Sequence, residues 1–155
     1  MKIFQKTLTA CVFALVLSLP AWASDLRIQD PHVRAVPPTA EVTAAFMGLH
    51  NEGSRDLAIV DAHSPAARVV ELHTHTQVEG VMQMRRIEKI EIPAGGTTEL
   101  KPGGLHLMLI DLTAPLARDA QVEVTLTLDD GSLIELNMPV RQVQRPMHGQ
   151  GRHGH

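Results

Sequence analysis

The sequence predicts an all-β fold, a sandwich or barrel of short strands. Three observations carry this expectation. From residue 24 onward, apolar residues recur mostly with a period of two rather than 3.6. Breakers such as Pro93-Ala94-Gly95-Gly96 and Lys101-Pro102-Gly103-Gly104 punctuate the chain. No segment makes a long amphipathic helix, and short strands between such turns are the mark of sandwiches and barrels.

The N-terminal segment, residues 1–23, reads as a cleaved secretory signal. Lys2 and Lys6 supply the positive start, and Leu8 to Leu19 the apolar run. Pro20 then breaks that run, and Ala21-Trp22-Ala23 places small residues where signal peptidase reads them, so cleavage is expected before Ser24. The apolar run is shorter than the roughly 20 residues a membrane span needs. Leu8-Thr9-Ala10-Cys11 superficially resembles a lipoprotein box, but here the apolar run follows the cysteine instead of preceding it.

The strands follow in order. Thr43 to His50 is the first, ended by Asn51-Glu52-Gly53. Leu57 to Ala62, Arg68 to Thr76, Val81 to Ile87 and Leu105 to Leu112 continue the pattern. Val122, Val124, Leu126 and Leu128 then alternate cleanly, Asp129-Asp130-Gly131 makes a turn, and Ile134, Leu136, Met138 and Val140 alternate on the return. The last dozen residues are polar and glycine-rich. The expected organisation is a signal at 1–23, one β-domain at 24–143, and a flexible tail at 144–155 holding Met147, His148, His153 and His155.

Composition narrows the function. The 155 residues include 9 His and 7 Met but only 1 Cys, 1 Trp, 3 Phe and no Tyr, with a net charge of −3. A chain that is neither basic nor aromatic is a poor nucleic-acid binder. The one cysteine, Cys11, lies in the signal segment, so the mature chain has no disulfide, no thiolate zinc site and no blue-copper centre. What needs explaining is imidazole and thioether without thiol.

Three short stretches concentrate them. His73 and His75, Met82 and Met84, and His106 and Met108 are each spaced i and i+2, and on a strand that spacing puts both side chains on one face. Leu105, Leu107 and Leu109 would point the other way, into the core. The segment Thr76-Gln77-Val78-Glu79-Gly80 can turn the chain and lay the first two stretches side by side. Soft, uncharged thioethers select Cu(I) over zinc, calcium or magnesium, and imidazole binds copper in both oxidation states. A methionine site also survives an oxidising compartment, since it cannot close into a disulfide. Other His and Met have plainer readings: Met47 and Met138 as core filler, His32, His50 and His63 as loop or surface residues, Gly103 and Gly104 as a turn.

The gaps fit one further pattern. Ten residues separate His73 from Met84, twenty-one separate Met84 from His106, and one separates His106 from Met108. Together with Val70-Glu71-Leu72-His73, Gly80-Val81-Met82-Gln83-Met84-Arg85 and Pro102-Gly103-Gly104-Leu105-His106-Leu107-Met108-Leu109, this resembles the PCuAC-type periplasmic copper chaperones over about Val33 to Val140. The resemblance implies a cupredoxin-like Greek-key β-sandwich or barrel with Cu(I) held by His73, Met84, His106 and Met108 at one exposed end. It also implies copper delivery toward the binuclear copper centre of cytochrome c oxidase, acting on its copper subunit or a Sco-type thiol protein. The expected protein is a periplasmic monomer that touches the membrane only through its acceptor.

His75 and Met82 are read as supporting groups or alternative ligands. The tail resembles the His/Met-rich extensions of some members; it either captures Cu(II) through Met147, His148, His153 and His155 or is inert. A copper buffer without a dedicated acceptor would use the same ligands. An enzyme is not expected, because the chain offers no acid/base pair beside the site, no Ser-His-Asp arrangement, phosphate loop or HExxH motif.

Overall fold

The computed structural model describes residues 25–142, and these form ten strands and no helix. They are β1 (Leu26–Arg34), β2 (Val42–Asn51), β3 (Leu57–His63), β4 (Ala67–Val78), β5 (Val81–Arg86), β6 (Ile90–Ile92), β7 (Thr97–Leu100), β8 (His106–Leu112), β9 (Gln121–Leu128) and β10 (Leu133–Arg141). The all-β expectation holds. The signal segment and the tail lie outside the described residues.

Pairing runs β5-β4-β8-β2-β1-β10-β9-β3-β6, with β7 also on β2. β8 and β7 share one edge of β2: β8 pairs with Val42–Ala45, and β7 with Met47–His50. A short parallel pairing, Val33 with Val140 and Arg34 with Arg141, joins the β5-to-β1 half to the β10-to-β6 half. The chain crosses repeatedly between halves, which is Greek-key connectivity. Both halves feed one core. Leu49, Leu107 and Leu109 come from the first, and Ile59, Leu126, Leu128 and Met138 from the second, all at most 1% exposed. Period-two alternation accounts for this. Val122, Val124, Leu126 and Leu128 are buried, while Gln121 before them and Glu123 between the two valines are exposed.

β1, β6 and β7 carry no legible period. In β1 the pairing register with β2 shifts between Gln29 and His32, at a bulge where Asp30 takes φ 43°. The extra residue breaks the phase between Leu26 and Ile28 on one side and Val33 on the other. β6 and β7 are only three and four residues long. His32, His50 and His63, expected in loops or on the surface, stand in β1, β2 and β3; His63 is exposed, but the His32 ring packs against Phe46 with centroids 5.8 Å apart. Met47 and Met138 are core residues, 2% and 0% exposed.

Asn51, fully buried, fastens the turn after β2. Its Nδ2 donates to the carbonyls of Arg55 (2.8 Å) and Ile92 (3.0 Å), and its Oδ1 accepts from the Gly53 N–H (3.0 Å). Asn51→Ala leaves two carbonyls and an amide without this partner. The variant is expected to lose about 1–3 kcal/mol of stability or more, read as a lower denaturant midpoint at unchanged slope; an unchanged midpoint would show that water replaces the side chain.

Candidate metal centre

Alternation builds the site on the outward face of the first half. β4 sends Leu72 (4% exposed) into the core and Glu71, His73 and His75 outward. β8 sends Leu107 and Leu109 inward, and His106 and Met108 outward. Cross-strand register then assembles the row. His73 lies opposite His106, and Glu71 opposite Met108. His75 lies opposite Met84, and Gln77 opposite Met82. β8 begins at His106; beyond that point the β4–β5 hairpin runs on without it and pairs only with itself. The site therefore sits where the sheet opens.

The hairpin and β8 close on each other through their imidazoles. The His106 ring is 5.7 Å from that of His73 and 5.2 Å from that of His75. Phe46, the one phenyl ring after the signal segment, lies beneath His106 at 6.5 Å. A hollow of about 230 Å³ is lined by His75, Met84, His106 and Met108 together with Phe46 and Arg34. A larger hollow of about 340 Å³, lined by Val60, Asp61, Val70, Glu71, Arg86 and neighbouring residues, contains no thioether or imidazole. His106 is buried at 3% exposure, whereas Met84 and Met82 are 45% and 55% exposed.

The turn before β8 orients the rings. Gly103 takes φ 80°, a conformation that suits glycine. The carbonyl of Gly104 accepts from His106 Nδ1 at 3.0 Å, with His75 Nδ1 at 3.4 Å. With its Nδ1 proton engaged, His106 keeps a lone pair on Nε2. Burial pushes the His106 pKa below its ordinary 6.5; the Gly104 carbonyl opposes the shift, and nearby His75, His73 and Arg34 add to it. The neutral, metal-binding form is thereby favoured.

His73 is held differently. Its Nε2 lies 2.7 Å from Glu71 Oε2, and its Nδ1 is buried with no hydrogen-bond partner. A buried polar nitrogen without a partner is a candidate position for a ligand. Among the described residues, no three His, Cys, Asp or Glu side chains gather closely enough to hold a metal ion. The thioethers of Met84 and Met108 line the same hollow, and soft, uncharged donors of that kind fit Cu(I).

The structure thus brings His106, Met108, Met84 and His75 around one hollow, with His73 against His106. Met82 stands farther out on the hairpin, opposite Gln77. Met147, His148, His153 and His155 lie outside the described residues, but β10 ends at Arg141, paired with the Arg34 that lines the hollow. Sequence reading assigned no role to Arg34, Phe46, Glu71 or the Gly104 carbonyl. Of these only Glu71, spaced i and i+2 from His73, carried a signal.

Known proteins share this fold. The solution structure of apo-DR1885 from Deinococcus radiodurans superposes with a TM-score of 0.63 at 31% identity, over 92% of this chain and 96% of that one. Its Cu(I) form matches at 0.61 and 32% identity, over 83% of each chain. A copper-bound PCuAC domain from PmoF2 shares the fold at 0.65 and 20% identity, over 77% of this chain and 94% of that one. These matches define a PCuAC-type domain with a cupredoxin-like fold. The LpqE-like family model matches residues 26–140, and the chain belongs to that lipoprotein-named family. A protein of Leifsonia xyli subsp. xyli, named as the lipoprotein Lxx21020, is 40% identical over 101 residues. The match covers 64% of this chain and 61% of that relative, less than two thirds of its length.

A lowered His106 pKa has a signed consequence for the apo protein. The unfolded chain takes up this proton near 6.5 and the folded chain only at lower pH, so folding stability falls as pH drops from 6.5 toward the folded value. Denaturation midpoints at pH 7.5 and 5.5 are expected to differ in that direction, and His106→Gln to narrow the difference. An equal difference in the variant would assign the effect to other groups.

Proposed function

We propose that this protein is an exported Cu(I) metallochaperone, binding one ion through His73, Met84, His106 and Met108. One observation carries the reading: the imidazoles of His75 and His106 and the thioethers of Met84 and Met108 line one hollow, and His73, whose buried Nδ1 has no hydrogen-bond partner, stands 5.7 Å from His106. Neutral soft donors suit a monovalent soft ion. The likeness to DR1885, solved with Cu(I) at 32% identity, supports the same cargo. The acceptor side of the proposal is the binuclear copper centre of cytochrome c oxidase, reached directly or through a Sco-type thiol protein. Exposed Met84 suits a handover, because an incoming donor can displace it while His106 stays buried, and exposed Met82 offers an alternative thioether nearby on the same hairpin. The tail is proposed to capture Cu(II) through Met147, His148, His153 and His155.

The function is binding and transfer, not turnover. A copper buffer is the competing reading, and transfer separates the two. Cu(I) should pass to an apo acceptor faster than it leaks to a chelator of equal affinity; equal rates favour the buffer. Anaerobic titration is expected to give one tightly held Cu(I). Met84→Ala and His106→Ala are each expected to abolish that binding while leaving the strand content by circular dichroism intact. Variants that bind as tightly as the parent would overturn the ligand assignment. Truncation at Gln144 should remove Cu(II) uptake alone, and an unchanged Cu(II) stoichiometry would sink the tail's role.

Export to the periplasm is proposed from residues 1–23, with cleavage before Ser24. A lipid on Cys11, the alternative that the lipoprotein name of the Leifsonia relative raises, is opposed by the apolar run that continues past Cys11. The intact mass of the exported protein decides, since cleavage before Ser24 removes Cys11.

A further inference from the structure

We infer that Glu71 is a positioning residue for the copper site, fixing the tautomer of His73 so that Nδ1 is its metal donor. The inference rests on the copper-binding reading above. Glu71 and His73 are neighbours on the outward face of β4, with side chains 23% and 13% exposed. Glu71 Oε2 lies 2.7 Å from His73 Nε2. An ionised carboxylate only accepts, so a neutral imidazole in this contact must carry its single proton on Nε2. Nδ1 then bears the lone pair, and Nδ1 is the atom left buried without a partner. Stranding a polar atom there costs stability unless a ligand supplies the missing interaction.

The other histidine is held in the opposite sense. His106 gives its Nδ1 proton to a backbone carbonyl, at 3.0 Å from Gly104 O, which leaves Nε2 as the donor. One imidazole is set by the main chain, the other by a side chain that substitution can remove. Glu71 is in turn steadied by Arg86, whose Nη1 lies 3.8 Å from Oε1 and whose backbone pairs with His73 across β4 and β5. A carboxylate behind a ligating imidazole fixes ring orientation and raises ligand basicity, and losing such a partner typically costs about 10–100-fold in metal affinity.

Two variants separate the roles. Glu71→Gln keeps an acceptor oxygen for Nε2–H; Glu71→Leu keeps the bulk and removes the acceptor. The first readout needs no metal: long-range proton–nitrogen correlation spectra of the full-length apo protein at pH 7.5. His73 is expected as the Nε2–H tautomer in the parent and in Glu71→Gln, and as a mixture in Glu71→Leu. The second is anaerobic Cu(I) competition against a chromophoric chelator. Glu71→Leu is expected to weaken binding about 10–100-fold at unchanged stoichiometry, and Glu71→Gln to restore most of the loss. A parent His73 protonated on Nδ1 would overturn the inference, as would Glu71→Leu binding Cu(I) as tightly as the parent. A parent that takes up no Cu(I) overturns the copper reading itself, a result distinct from either of these.

Discussion

The site depends on the register between β4 and β8. His73 opposes His106 while Leu72 opposes Leu107 on the other side of the same strands. The ligand face and the core face are set by one choice. Shifting either strand by a residue would drive imidazoles into the core and leucines into water. Leu72 and Leu107 are 4% and 0% exposed, so that slip is strongly opposed. The hydrophobic effect, acting on residues that never touch a metal, holds the donors in place.

The resulting centre has a fixed side and an open side. His106 is buried over Phe46, hydrogen-bonded to the turn that precedes it, and disfavoured from taking up a proton. Met84 and Met82 ride on a hairpin arm that overhangs the sheet, and every residue of β5 is exposed. Uncharged donors of the proposed set would leave the single charge of a Cu(I) ion uncompensated. Arg34 at the margin adds positive charge beside His106.

Sequence patterning showed these features unevenly, for physical reasons. The β9–β10 hairpin was legible because its alternation is unbroken and its turn holds Gly131 at φ 82°. His106 and Met108 were legible as a same-face pair because leucines alternate with them. β1 was hidden by its bulge, and with it the approach of Arg34 and of His32 on Phe46. β6 and β7 were hidden by their brevity. His75, read as auxiliary, sits closer to His106 than His73 does, because the Gly104 carbonyl draws both rings toward one turn. Such a contact depends on tertiary placement of a loop and leaves no mark in spacing. The orphaned Nδ1 of His73 is likewise visible only once burial is known.

X-ray absorption at the copper edge of the Cu(I)-loaded protein tests the central claim most directly, because it counts donor types without presuming which residues they come from. Two nitrogens and two sulfurs around one Cu(I) are expected, from His73 and His106 and from Met84 and Met108. A shell of nitrogen and oxygen alone would contradict the assignment of the thioethers, and with it the chemical basis for Cu(I).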